Sequence, residues 1–133
     1  MSLIKWVNLK SIVDSRGELT IIEAQKDVSF DIKRIYYLTN LSPNMSRGYH
    51  AHRDLQQLAV CLVGNCRVLL DDGFEKCWVE LGSDKAIRIE PMIWHEMHDF
   101  SDDCVFLVMA SDKYDESDYI RDYTKFMEEV NNG

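Results

Sequence analysis

From Trp6 to Ala110 the chain is written as short runs of β-favouring residues cut by turn signals, and this rhythm limits the fold more than any other feature. Trp6 to Leu9 is an edge strand or an arm reaching a partner subunit. The turn Asp14-Ser15-Arg16-Gly17 leads into Leu19-Thr20-Ile21-Ile22-Glu23, rich in β-branched residues. Ile32 to Thr39 alternates Ile32, Arg34, Tyr36 and Leu38 on one face with Lys33, Ile35 and Tyr37 on the other. One face of that strand therefore carries a guanidinium and a phenol among apolar residues. Pro43 and Asn44 mark a loop from Leu41 to Ser46.

From His50 the strand signal runs on through Gln56 to Val63, and Gly64-Asn65 predicts a two-residue hairpin with Cys66 to Leu70 returning. Asp72-Gly73 is a second hairpin signal, with Phe74 to Glu80 beyond it. Gly82-Ser83-Asp84 punctuates, Ala86 to Ile89 is a strand, and Pro91 opens a loop into Trp94-His95-Glu96-Met97-His98. Cys104 to Ala110 is apolar enough for the centre of a sheet. After Asp115 the pattern changes: Tyr119, Ile120, Tyr123 and Phe126-Met127 recur at helical spacing, and Ser117 is placed to cap a short C-terminal helix. Short strands at this spacing predict an all-β sandwich or barrel. No linker, repeat or low-complexity segment divides the chain, so residues 1–133 read as one domain.

Composition narrows the function. A chain of 133 residues with a net charge of −8 lacks the basic surface that nucleic acid requires. An anionic small molecule is compatible if a locally basic pocket sits inside the acidic shell, and Arg16, Arg34, Arg47 and Arg88 are candidates to build it. No apolar run approaches the ~20 residues of a membrane span, and Met1 to Asn8 does not read as a signal peptide. The expected compartment is the cytoplasm. Cys61, Cys66, Cys77 and Cys104 form no CxxC pair and read as buried thiols on strands.

The chemistry concentrates in Arg47-Gly48-Tyr49-His50-Ala51-His52. Histidines one residue apart on a strand project from the same face, Gly48 permits a bulge before them, and Arg47 adds a fixed cation. His95 and His98 join the site if the fold brings them near His50. Asp71-Asp72 reads as turn chemistry, and Asp112, Asp115, Glu116 and Asp118 read as a solvated acidic segment. No G-x-G-x-x-G, P-loop, G-x-S-x-G or H-E-x-x-H pattern is present.

His50-x-His52 with Gly64 resembles the first cupin motif, although Gln56 or Gln57 stands where a glutamate is usual, and Pro91 with His95 is what remains of the second. Three neutral imidazoles would still suit zinc. Four runs carry a closer likeness: Arg47-Gly48-x-His50-Ala51-His52, Leu69-Leu70-Asp71-Asp72-Gly73, Trp94-His95-Glu96-Met97, and Tyr114-Asp115-Glu116 to Tyr119-Ile120-Arg121-Asp122-Tyr123. Together they resemble the sugar-nucleotide 3,4-ketoisomerases, metal-independent cupins acting on dTDP-4-keto-6-deoxyglucose.

The resemblance implies a cupin-type, jelly-roll-like β-barrel with a short C-terminal helical segment, and a homodimer with exchanged N-terminal strands. It implies no cofactor and a role in making deoxysugars for surface glycans. It further implies that His50 removes the C3 proton beside the C4 ketone, that His52 relays protons or orients the sugar, and that Tyr36 donates to the developing enolate oxygen. Arg34, Arg47 and Arg88 are the candidates for the pyrophosphate, and His95 for lining the site. Arg16 and His98 are the candidates for directing the C4 proton towards a galacto product. Two other readings stay open from the residues: a metal-dependent cupin using His50, His52 and His95 as ligands, and a non-catalytic cupin that binds a dTDP-sugar.

Overall fold

The computed structural model describes residues 3–132. Its strands are β1 (Trp6–Asn8), β2 (Lys10–Asp14), β3 (Gly17–Ile21), β4 (Arg34–Leu38), β5 (Arg47–His52), β6 (Gln57–Val63), β7 (Cys66–Asp71), β8 (Lys76–Leu81), β9 (Lys85–Ile89), β10 (Trp94–His98), β11 (Val105–Ala110) and β12 (Tyr119–Ile120). A single 3₁₀ turn (Glu116–Asp118) precedes β12, and helix α1 (Tyr123–Asn132) follows it. One sheet runs β1-β9-β6-β11-β4, the other β12-β5-β10-β7-β8, and β2-β3 stands apart as a hairpin. The two large sheets face each other without closing, giving the all-β cupin-type architecture with one short helix.

The core lies between the sheets, where Ala59, Cys61, Ile87, Phe106 and Val108 of one meet Val68, Leu70, Leu81 and Met97 of the other. Alternation decides which residues enter it. On β4, Arg34, Tyr36 and Leu38 are half-buried while Ile35 and Tyr37 are exposed, as the sequence predicts. Outside the second sheet, fully buried Phe126 anchors α1 against Ala51, Trp94 and Ile120. Arg53 ties the end of β5 to the same helix through a forked ion pair with Glu129, at 2.9 and 2.8 Å. This packing backs the sheet that carries the histidines.

Several local expectations are corrected. Gly64-Asn65 is a corner rather than a hairpin, because β6 and β7 lie in different sheets. Ser101 fastens it, its Oγ accepting from the Asn65 amide at 3.0 Å and its own amide donating to the Asn65 carbonyl at 2.9 Å. The strand predicted to continue from His50 to Val63 breaks at residues 53–56, where the chain crosses between sheets and the Asp118 carboxylate accepts from the Asp54 and Leu55 amides at 2.8 and 3.3 Å. Trp94–His98, read as the end of a loop, is strand β10 between β5 and β7. Ser117 does not cap the helix: Asp122 does, accepting from the Thr124 and Lys125 amides at 2.8 and 3.2 Å, and Tyr119-Ile120 are strand. Cys61, Cys66 and Cys104 are buried free thiols, whereas Cys77 is half-buried. Among the described residues no helix is long and apolar enough to cross a membrane.

Candidate active site

Gly48 creates the site's geometry. Its φ of 95° and the φ of 60° at Tyr49 both lie in the left-handed region. On β10, His95 faces His50 and Glu96 faces Gly48, so Tyr49 is the extra residue of a bulge. A Cβ at Gly48 would come within 2.9 Å of the His95 carbonyl oxygen, so only glycine permits this approach. The bulge sets His50 directly opposite His95, and β12 sets Tyr119 opposite His52.

Three imidazoles thus converge between the sheets. The rings of His50 and His52 are 5.0 Å apart, those of His50 and His95 4.6 Å, and those of His52 and His95 6.1 Å. The Tyr119 ring closes the group at 5.0 Å from His50 and 4.3 Å from His52. Each histidine is held through Nδ1: His50 by the Gly48 carbonyl at 3.1 Å, His95 by the Ile93 carbonyl at 3.1 Å, and His52 by the Asp118 carboxylate at 3.2 Å. Carbonyl oxygens only accept, so His50 and His95 carry their neutral-state proton on Nδ1. Their Nε2 lone pairs are then free for chemistry, and the Asp118 carboxylate favours the same tautomer in His52.

Burial keeps these rings neutral. It lowers the pKa of His50 from its ordinary value, against a smaller opposing effect of the Gly48 carbonyl. In His52 burial and then the neighbouring His50 bring it down to about 4, despite Asp118, and in His95 burial and His50 bring it to about 3. At neutral pH the cluster is a set of unprotonated bases. Tyr36 shifts the other way: burial and then Tyr119 raise its pKa, so it stays a phenol able to donate.

A cleft of about 480 Å³ opens onto this cluster, lined by Arg34, Tyr36, Arg47, His50, Tyr119 and Arg121 among others. His50 is the imidazole that lines it. His52 instead lines a smaller cavity of about 80 Å³ that also touches Arg34, Asp118 and Tyr119. Arg121 lies with its guanidinium carbon 4.1 Å from the centre of the Tyr119 ring, and Glu116 holds it at 2.8 and 2.9 Å. Hydrogen bonds from Arg121 and then Tyr114 depress the Glu116 carboxyl to about 2, so it remains an anion beneath that cation.

The structure therefore brings together Arg34, Tyr36, Arg47, His50, His52 and His95, and separates the other candidates. His98 sits on the opposite face of β10 from His95, joined to Glu96 at 2.9 Å and Ser46 at 2.6 Å and lying against Tyr49 and Trp78. Three residues along a strand reverse the face. Arg88 shares a face with Ala86, away from Ile87 and Ile89 of the core, and is hydrogen-bonded to Ser29. Arg16 is at the tip of the β2–β3 hairpin, its side chain 88% exposed and paired with Asp14 at 2.6 Å. Asp71-Asp72 is indeed a turn, the two carboxylates accepting from the amides of Gly73, Phe74 and Glu75 at 2.8 to 2.9 Å. Asp118, expected to be solvated, is the partner of His52. Its role and those of Tyr119 and Arg121 depend on β12 pairing with β5, a contact between residues more than sixty apart that no local pattern announces.

The His50, His52 and His95 ring nitrogens offered to one another lie within 4.8 Å, which is also a ligand set for a divalent cation. The engaged Nδ1 atoms are the outer support such ligands use.

Residues 2–131 match the family FdtA: WxcM-like, C-terminal. The chain is 51% identical over 123 residues to the TDP-4-oxo-6-deoxy-alpha-D-glucose-3,4-oxoisomerase of Aneurinibacillus thermoaerophilus, covering 92% of this chain and 88% of that one. A double mutant of the QdtA 3,4-ketoisomerase from Thermoanaerobacterium thermosaccharolyticum, solved with TDP, superposes with a TM-score of 0.94 at 41% identity over 99% of this chain and 96% of that one. A histidine-to-asparagine mutant of the same enzyme, solved with TDP-4-keto-6-deoxyglucose, gives 0.94 at 39% identity over 99% and 96%.

Proposed function

The chain belongs to the FdtA, WxcM-like C-terminal family, and we propose that it is a sugar-nucleotide 3,4-ketoisomerase acting on TDP-4-keto-6-deoxyglucose. The observation that carries this reading is a cluster of neutral imidazoles facing hydrogen-bond donors across one cleft, in a chain 51% identical to an enzyme of that name.

The reaction is a proton relocation. His50 Nε2 takes the C3 proton, the C3–H electron pair becomes the C3=C4 double bond, and the carbonyl pair moves onto O4. O4 is then protonated, O3 gives up its proton, and a proton returned to C4 leaves the ketone at C3. No net oxidation occurs. His52, fixed by Asp118, and His95 flank His50 with ring centres 5.0 and 4.6 Å away, a spacing that one bridging water or substrate hydroxyl would span for proton transfer. Tyr36 donates to an enediolate oxygen. Arg47 and Arg121 at the cleft suit the diphosphate oxygens, since guanidinium forks match them. Arg88, facing away from the cleft, has no part in this assignment.

The β2–β3 hairpin supports a second element of the proposal, a homodimer with exchanged N-terminal strands. Val13 and Leu19 are 71% and 59% exposed, and a two-stranded hairpin alone is at best marginally stable in water. A second copy is the occupant that would cover it. Arg16, at the tip of this hairpin, and His98, hydrogen-bonded to Ser46 of the cleft wall, are kept as the candidates for directing the C4 proton to the face that yields the galacto product. On this reading the enzyme works in the cytoplasm and supplies a deoxysugar for surface polysaccharide.

The test is incubation of chelator-treated protein with TDP-4-keto-6-deoxyglucose, read by proton NMR. A 3-keto product is expected, with a C4 coupling that identifies the galacto centre. A gluco centre would overturn the product assignment alone. Substrate left unchanged until zinc or iron is added would support the reading of the histidines as metal ligands, and binding without turnover under either condition would make the protein a TDP-sugar-binding module.

A further inference from the structure

Among the described residues, two buried donors in the sheet opposite the histidines make no hydrogen bond of full geometry: Nε of Arg34 and Nε2 of Gln57. They belong to one row. Ala110 of β11 stands opposite Arg34 on β4 and opposite Gln57 on β6, and residues paired in this way project from the same face. Two residues further along each strand, Tyr36, Val108 and Ala59 form the next row on that face. Val108 and Ala59 belong to the core between the sheets and Tyr36 packs against it, so Arg34 and Gln57 point inward as well. Ala110 contributes only a methyl group between them.

These donors are next to the chemistry. Arg34 lines the cleft with His50, and its guanidinium carbon is 5.4 Å from the centre of the Tyr36 ring. Gln57, Arg34 and Arg47 all act on the Tyr36 oxygen in the sense that favours negative charge there. Gln57 is only 2% exposed, and its amide bears on the Tyr36 oxygen as a donor. Its Nε2 has two protons but makes no hydrogen bond of full geometry, a deficit that costs stability when buried. Such a cost is retained where a ligand supplies the missing acceptor.

We infer that Arg34 and Gln57, together with Tyr36, form the donor side of the site and hydrogen-bond O3 and O4 of the enediolate. The inference rests on the ketoisomerase reading and divides the work between the sheets: β5 and β10 carry the bases, β4 and β6 the donors. Negative charge develops first on O4, as the C3 proton leaves, and then on O3, as its hydroxyl proton is lost, until protonation of C4 discharges it. Two adjacent oxygens need donors in turn, and a guanidinium beside a two-proton amide provides them. Arg34 is thereby reassigned from the pyrophosphate to the sugar.

The experiment compares Arg34→Lys and Gln57→Met with wild type in kcat, in TDP affinity by calorimetry and in thermal midpoint. Arg34→Lys keeps the charge but loses the fork, and kcat is expected to fall about a hundredfold with TDP affinity within about threefold of wild type. Gln57→Met replaces the orphaned amide by an apolar chain of similar length, so kcat is expected to fall about tenfold or more while the thermal midpoint holds or rises. A Gln57→Met variant with wild-type kcat would overturn Gln57, and so would a fall in kcat that merely tracks lost stability. A loss of TDP affinity in Arg34→Lys matching its loss of kcat/KM would return Arg34 to the diphosphate. Wild-type protein inactive on the keto sugar would instead refute the function on which the inference rests.

Discussion

His50 and His52 are chemically alike and only two residues apart, yet their surroundings differ, and the proposed mechanism gives them different tasks on that ground. His50 lines the open cleft and has a carbonyl on Nδ1, whereas His52 is almost fully buried and carries the Asp118 carboxylate. Replacing His50 by Asn is expected to lower kcat by about 10²–10⁴, the usual worth of a general base, with TDP affinity unchanged. His52→Asn should cost less, and near-normal turnover in His50→Asn would refute the assignment. The same burial makes stability depend on pH. Unfolded imidazoles protonate near pH 6.5, while folded His52 and His95 stay neutral down to about 4 and about 3. The unfolded state therefore binds more protons below pH 6.5, and stability should fall as pH drops from 7 towards 4. Urea unfolding at pH 7 and pH 5 measures this, and equal midpoints would contradict it. The sequence revealed His50 and His52 as a pair because a strand's period is two. It left His95 and His98 indistinguishable, because which of them faces inward depends on the register of β10, set by its pairing with β5 and β7.

Among the elements, the β5–β10 pair decides whether the imidazoles meet at all. Gly48→Ala forces a side chain into a left-handed φ and against the His95 carbonyl oxygen, at a cost of roughly 1–3 kcal/mol in stability. Activity should fall further than stability alone explains, since the bulge also aims His50. Urea unfolding together with kcat tests this, and a variant as stable and active as wild type would remove the bulge from the account. The strands were legible in the sequence where alternation or apolarity was strong, as in β4 and β11. The corners were not: Gly64-Asn65 has the composition of a hairpin, but its flanking strands separate into different sheets because each finds better partners elsewhere. Helix α1 is visible by its period, yet the same period runs on too early into Tyr119 and Ile120, which also fit helical spacing but are drawn into strand by β5.

In the proposed account the whole molecule presents bases on one sheet, donors on the other and cationic groups lining the cleft between them. That arrangement would let a chain with a net charge of −8 take the proposed TDP-sugar: Arg47 and Arg121 concentrate positive charge locally. The exposed β2–β3 hairpin makes the proposed molecule a dimer, so light scattering should give twice the 15.5 kDa chain mass. Val13→Asp with Leu19→Asp should produce a monomer of lower activity; a monomeric wild type would remove the exchange. The central claim, that the histidine cluster moves a proton between C3 and C4, is tested most directly in deuterated water. Chelator-treated enzyme and TDP-4-keto-6-deoxyglucose, followed by proton NMR, should yield a 3-keto sugar with deuterium at C4 or a proton transferred from C3, with C5 untouched and with both events lost in His50→Asn. Exchange at C5, or conversion that survives His50→Asn unchanged, would contradict the account.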